Sequence, residues 1–250
     1  MRTKKRYTTQ ESVNFDLSIS DLMAGLCGIF VLVLITVIMQ LNNTKQEYAS
    51  KNQKAEEYRQ MRDDLYDDLM KEFAENLQEW NAEIDEDLTI IFRSEDEKNP
   101  MFQADKSELN IRYKEIFSDF FPRLVKILNM ENGNKGKYID NVEEIRIEGH
   151  TSIDKRSRST LELRNNDYEV GMVLSQERTR EVMLFCLNTV PNEREEIQKN
   201  IAAIGYSNSR PVTRYVDSEK NRKASRRVEF KIKTCSEEVL EEIRKMPKSK

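Results

Sequence analysis

Glycine and proline are scarce, 7 and 5 in 250 residues, and neither occurs between Gly28 and Pro100. That shortage excludes a turn-rich all-β fold, collagen-like repeats and proline-rich disorder. Cysteine and histidine are scarcer still, at 3 and 1. They are too few for a zinc site of the His/Cys spacing or for a multi-disulfide scaffold. Neither sign of charge dominates: 41 Lys+Arg against 45 Asp+Glu leave a net charge of −4. A nucleic-acid binder built on global positive charge is thereby excluded. No glycine-rich phosphate loop, GxSxG elbow or HExxH pair occurs, so no motif argues for an enzyme.

What is present is very polar, 34% charged against 38% apolar, with one exception. Leu22 to Leu41 carries no charge, and Thr36 and Gln40 are its only polar residues. A helix of about 20 residues covers the ~30 Å hydrocarbon core of a bilayer. A signal peptide has a shorter apolar core followed by a small-residue cleavage site, and Met39-Gln40-Leu41-Asn42 offers none. The run therefore reads as a retained transmembrane helix over 17–41. Arg2, Lys4, Lys5 and Arg6 precede it, and the positive-inside rule keeps that 1–16 arm in the cytoplasm. The rest then lies outside, in the periplasm of a Gram-negative cell.

From Tyr58 the apolar positions Met61, Leu65, Leu69, Phe73, Leu77, Trp80 and Ile84 recur at steps of three and four. That is a helical stripe, packed either on its own domain or against a second copy, within a helical linker over 42–84. Beyond it strands and helices alternate. Leu88–Phe92 is β-rich, Leu109–Leu128 helical, Val142–Ile147 a strand ending at Gly149-His150-Thr151. Ser152–Gly171 is polar and aperiodic and reads as a long loop. Leu174–Leu187 reads as a helix, and Ile201–Tyr206 and Val228–Ile232 as strands. The order β-α-β-α-β-β over 85–235 predicts an α/β sandwich with a mixed sheet, followed by a charged tail over 236–250. Cys186 and Cys235 both fall in the exported, oxidising part and form a candidate disulfide. Cys27, inside the apolar run, reads as packing.

Glu148-Gly149-His150-Thr151, Leu174-Ser175-Gln176-Glu177-Arg178 and Ser225-Arg226-Arg227-Val228-Glu229 stand in order along the chain. They resemble the GHTD, LSxxRA and NRRVE runs of OmpA-like peptidoglycan-binding domains. Ser18-Ile19-Ser20-Asp21-Leu22-Met23-Ala24 is similar to the start of the single span in MotB-type stator B subunits. The combined architecture most resembles the ZorB-type B subunits of the Zorya anti-phage defence system, with flagellar-type stator subunits second.

The resemblance implies a function and its residues. Asp21 would carry H⁺ or Na⁺ as transported cargo, with no resident cofactor. Its context-free alternative is a helix-start residue favoured by the dipole. The resemblance also implies a multi-span A subunit, pentameric in an A5B2-like complex, and a second copy of this chain, in the bacterial inner membrane. In the OmpA-like family an Asp and an Arg hold the diaminopimelate group of the peptidoglycan stem peptide. The Arg matches Arg178, in the run opened by Leu174, and a guanidinium suits a ligand carboxylate. The alternative for Arg178 is a surface ion pair with Glu177 or Glu181. The family Asp falls at Ser152, whose neutral hydroxyl cannot pair with an ammonium as a carboxylate would, leaving Asp154 as a substitute. Arg226 is a further ligand contact, His150 orders the strand end, and the family's Asn falls at Gly171. The competing readings are a passive wall anchor and a domain that recruits another protein.

Overall fold

The computed structural model describes residues 10–94, 96, 98–133, 136–152, 161–215 and 218–234. The chain forms two compact units, Met1–Lys54 and Ala55–Lys250. Helix α1 runs Gln10–Trp80. In the first unit its apolar run is exposed on every side, from Leu22 at 73% to Leu41 at 56%. From Ser20 onward the helix is long and apolar enough to cross a membrane.

In the second unit the same helix changes character. Ala55, Met61, Leu65, Leu69, Phe73 and Trp80 are buried, because residues three and four apart share one face. The stripe therefore packs on its own domain, and the pairing seam with a second copy is not where these side chains go. The helix stops at Trp80, and Asn81 takes a positive φ of 52°, a left-handed stop that asparagine tolerates. Ile84, expected to close the helical stripe, lies instead in strand β1, Ala82–Ile84.

Strand β2 is Thr89–Arg93 and β3 is Val142–His150. Strand β4 is Ile201–Gly205 and β5 is Arg227–Thr234. They form one sheet in the order β1-β2-β5-β3-β4. Only β3 and β4 run parallel; the other neighbours are antiparallel. Helix α2, Ile111–Leu128, starts at Asn110, whose side chain accepts the Arg112 amide. Helix α3 spans Leu161–Thr189, α4 Arg194–Ile197 and α5 Ser218–Ser225. The mixed α/β sandwich is the expected one, with β1, α4 and α5 added.

A second expectation is also corrected. The Ser152–Gly171 stretch is not all loop, because α3 is already helical at Leu161. Asn165, Asn166, Tyr168, Glu169 and Val170 are exposed. From Asn165 to Val170 no side chain is fully buried, and so these turns show no helical period.

The core is aromatic. Phe92 meets Phe120 at 4.9 Å and Phe117 at 5.0 Å, and Phe120 meets Phe230 at 5.1 Å and Phe73 at 5.2 Å. Most of these pairs are edge-on, the arrangement the ring quadrupole favours. Helices α1 and α2 thus close on the neighbouring strands β2 and β5.

Candidate functional site

In the first unit, Asp21 is exposed on the helix at the head of the apolar run. It is the only charged residue from Ser20 to Leu41. Thr36 Oγ1 donates to Leu32 O at 2.6 Å and to Val33 O at 3.0 Å, so its hydroxyl is satisfied within its own helix. A Cβ added at Gly25 or Gly28 would meet nothing within 4 Å.

In the second unit a cavity of about 500 Å³ opens where β3 ends beside α3. Leu174 and Arg178 line it from α3, Ser152 from the end of β3, and Arg226 from the start of β5. The structure thus brings together four of the five residues expected to bind peptidoglycan. The fifth, Asp154, lies outside the described residues. Cys235 also lies outside them, and Cys186 is fully buried with burial pushing its thiol up.

Among the described residues Arg178 is held by carbonyls, with no carboxylate in hydrogen-bond contact. Its Nε donates to Lys106 O at 2.9 Å and one Nη to Gln103 O at 3.0 Å. The guanidinium lies over the Phe102 ring, 4.9 Å from its centre, a cation–π placement. Burial lowers its pKa to about 10, with the Asp105 charge raising it and Arg226 lowering it. It is therefore a fixed cation at neutral pH, with donors left over from the five a guanidinium carries. Neither Glu177 nor Glu181 is its hydrogen-bond partner. The carbonyls that orient it come from the Ser94–Lys106 segment, which has no periodic pattern and gave no sequence signal.

Three glycines set how closely α3 approaches the strand ends. A Cβ at Gly149 would meet Thr179 Cγ2 at 2.6 Å and Ser175 O at 2.9 Å. One at Gly205 would meet Ser175 Oγ at 2.5 Å, and one at Gly171 would meet Ser207 Oγ at 2.5 Å. Ser207 takes a positive φ of 52° and donates through Oγ to Tyr168 O at 2.7 Å. Gly171, where the family carries Asn, has no room for a side chain here.

In the cavity wall His150 is buried between two carboxylates, 3.6 Å from Glu229 and 3.9 Å from Glu148. It stacks on Tyr206 at 5.4 Å. These three acid and imidazole groups come within 4.8 Å of one another, close enough to hold a metal ion. Their outer oxygens, however, already face cations. Arg210 lies 3.2 Å and Arg146 3.8 Å from Glu148, and Arg227 pairs with Glu229. With Glu144, the nearer partner of Arg146 at 2.6 Å, three guanidiniums balance three carboxylates and leave no net negative charge for a divalent ion. The cluster fits a buried ion-pair network that fixes the strand end.

The mixed sheet covered by helices, with its cavity at the β3–α3 junction, has the fold of a solved MotB-like protein. No family model matches the chain. It is 33% identical over 229 residues to the Zorya protein ZorB of Escherichia coli, covering 90% of each chain. A solved Desulfovibrio vulgaris structure described as MotB-like aligns with a TM-score of 0.50 at 17% identity, over 72% of this chain and 98% of that one. The cell wall anchor of the type VI secretion system from Pseudomonas aeruginosa aligns with a TM-score of 0.43 at 19% identity, over 66% of this chain and 96% of that one. By its likeness to the Escherichia coli protein, the chain belongs to the ZorB family.

Proposed function

We propose that this chain is the B subunit of an ion-driven membrane motor that acts in anti-phage defence and does no enzymatic chemistry of its own. The apolar helix crosses the bacterial inner membrane, with the N-terminal arm in the cytoplasm and the sandwich domain in the periplasm. Asp21 binds and releases H⁺ or Na⁺ as access to it alternates between the two sides. A multi-span A subunit, a pentamer enclosing two B chains, supplies the rest of the path. The domain holds the motor to peptidoglycan, with Arg178 taking a carboxylate of the stem peptide.

The observation that carries this reading is Asp21 itself. A lone carboxylate heads an uncharged helical run that nothing in its own unit covers. An ionisable residue in a span costs roughly 2.5–3.5 kcal/mol on insertion scales and is kept where it has work to do. The open faces at Gly25 and Gly28 suit close approach by a neighbouring helix. Membership of the ZorB family supports defence over motility as the output.

The test is Asp21→Asn, which keeps the shape of the side chain and removes its titratable proton. The variant is expected to insert and assemble normally while phage protection is lost. Asp21→Glu, displaced by about one methylene, is expected to be impaired, and Asp16→Asn to be close to neutral. Full protection by Asp21→Asn cells would reduce Asp21 to a helix-start residue and leave a passive wall anchor.

A further inference from the structure

The cavity has a second end. Asp167, Gly171, Leu174 and Arg178 all line it from α3, and steps of four, three and four place them on one helical face. Asp167 and Arg178 stand eleven residues apart, about 16 Å along the axis at ~1.5 Å per residue. Asp167 belongs to the early turns of α3, in the stretch that reads as loop in the sequence.

The charges of the cavity sort by partner. Asp96 accepts from the Lys98 amide and from Asn99 and lies 3.9 Å from Arg112. Asp105 is the acid whose field acts on Arg178. Arg222 is paired with Glu219 and Arg227 with Glu229. Asp167 is different: its Oδ2 accepts from the neutral Asn208 amide at 2.8 Å. Among the described residues it has no cation within ion-pair distance. A half-buried carboxylate oriented by an amide, facing a cavity whose other end is a fixed guanidinium, is a receptor for a cation.

We propose that Asp167 captures an ammonium group of the ligand, so that the cavity takes a zwitterionic peptide lying along α3 with its carboxylate on Arg178. This restores, from the helix, the negative charge that Ser152 does not provide. About 16 Å is the reach of roughly five residues of extended chain, so recognition extends over a peptide and is not confined to one residue. The inference rests on reading the cavity as a wall-binding site.

The test uses the full-length chain in detergent, pulled down with purified peptidoglycan sacculi, native or with their free amines acetylated. Wild type is expected to bind native sacculi and to lose about tenfold on acetylation, the size of a charge-assisted contact. Asp167→Asn keeps an oxygen for the Asn208 bond and an unchanged melting curve. It is expected to bind native sacculi about tenfold more weakly and to ignore acetylation. Asn208→Ala, which frees the carboxylate to rotate without removing its charge, is expected to weaken binding and stay acetylation-sensitive. Equal native binding by Asp167→Asn and wild type, or wild-type binding indifferent to acetylation, overturns the role of Asp167 and leaves wall binding standing. No binding by wild type to native sacculi overturns the wall-binding reading itself.

Discussion

Helix α1 contains two apolar stretches with opposite fates. From Leu22 to Leu41 the apolar residues are continuous, and Leu32 is 66% exposed in its unit. From Met61 to Trp80 they are spaced three and four apart among acids and bases, and Leu65 and Leu69 are 0% exposed. Similar residue types on one helix thus meet different surroundings because of spacing alone. An unbroken apolar circumference matches a solvent that is apolar all round, and a stripe matches a core on one side. The charged positions between the stripe residues are equally informative. Arg123 from α2 reaches across to Glu72 at 2.7 Å and lies over Phe73 at 4.9 Å, so the polar flank of the stripe is also docked.

The sharpest way to break this contrast is to make the same change in both stretches. Leu69→Ala is expected to destabilise the domain by about 2–5 kcal/mol through the lost burial and the cavity left behind. Leu32→Ala is expected to leave the domain's denaturant midpoint where it was. Urea unfolding of the two variants checks the pair, and equal effects would mean that Leu32 packs on the domain after all.

A second prediction separates the domain's polar face from its apolar one. Burial alone pushes the Glu229 carboxyl up, but the His150 imidazole and the Arg227 guanidinium outweigh it and bring it to about 2 from 4.5. The folded value lies below the ordinary one, so the stabilisation is complete above pH 4.5 and is lost as pH falls toward 2. The difference is worth roughly 3 kcal/mol. Glu229→Gln is expected to lower stability by up to that amount at pH 7 and to flatten the loss between pH 5 and pH 2. Parallel acid limbs for variant and wild type would show that Glu229 gains nothing from its neighbours.

The smallest effect expected tests the glycine contacts. Gly171→Asn restores the family residue and gains a little helix propensity. Its Cβ meets Ser207 Oγ at 2.5 Å and Thr151 Oγ1 at 3.0 Å. Ser207 would have to give up its bond to Tyr168 O. A net loss of about 1–2 kcal/mol is expected, as for other overpacked sites, read as a drop in melting temperature. A rise would show that the strand end yields.

Those contacts also mark where sequence reading succeeds and where it stops. The strands were legible because Ile145, Ile147, Val228, Phe230 and Ile232 alternate with polar residues and all turn inward. Arg178, Leu174, Ser152 and Arg226 were legible through three short runs at element ends, and they line one cavity. Asp167 was not, since the turns around it are polar on every side and carry no period. Nor were the Gln103 and Lys106 carbonyls, because a backbone acceptor leaves no trace in residue type. The close approach at Gly205 depends on Ser175 and Gln176, 30 and 29 positions earlier in the chain, a pairing that only the folded sheet creates.

The burial of the α1 stripe has a mechanical meaning. A helix whose apolar stripe runs parallel to the direction of pull resists as a shear joint: every contact strains together. A load applied along α1 at Ala55 meets Met61, Leu65, Leu69, Phe73 and Trp80 at once. Peeling would break them one by one at far lower force. The helix is therefore part of the core itself, and pulling it out would take the core apart.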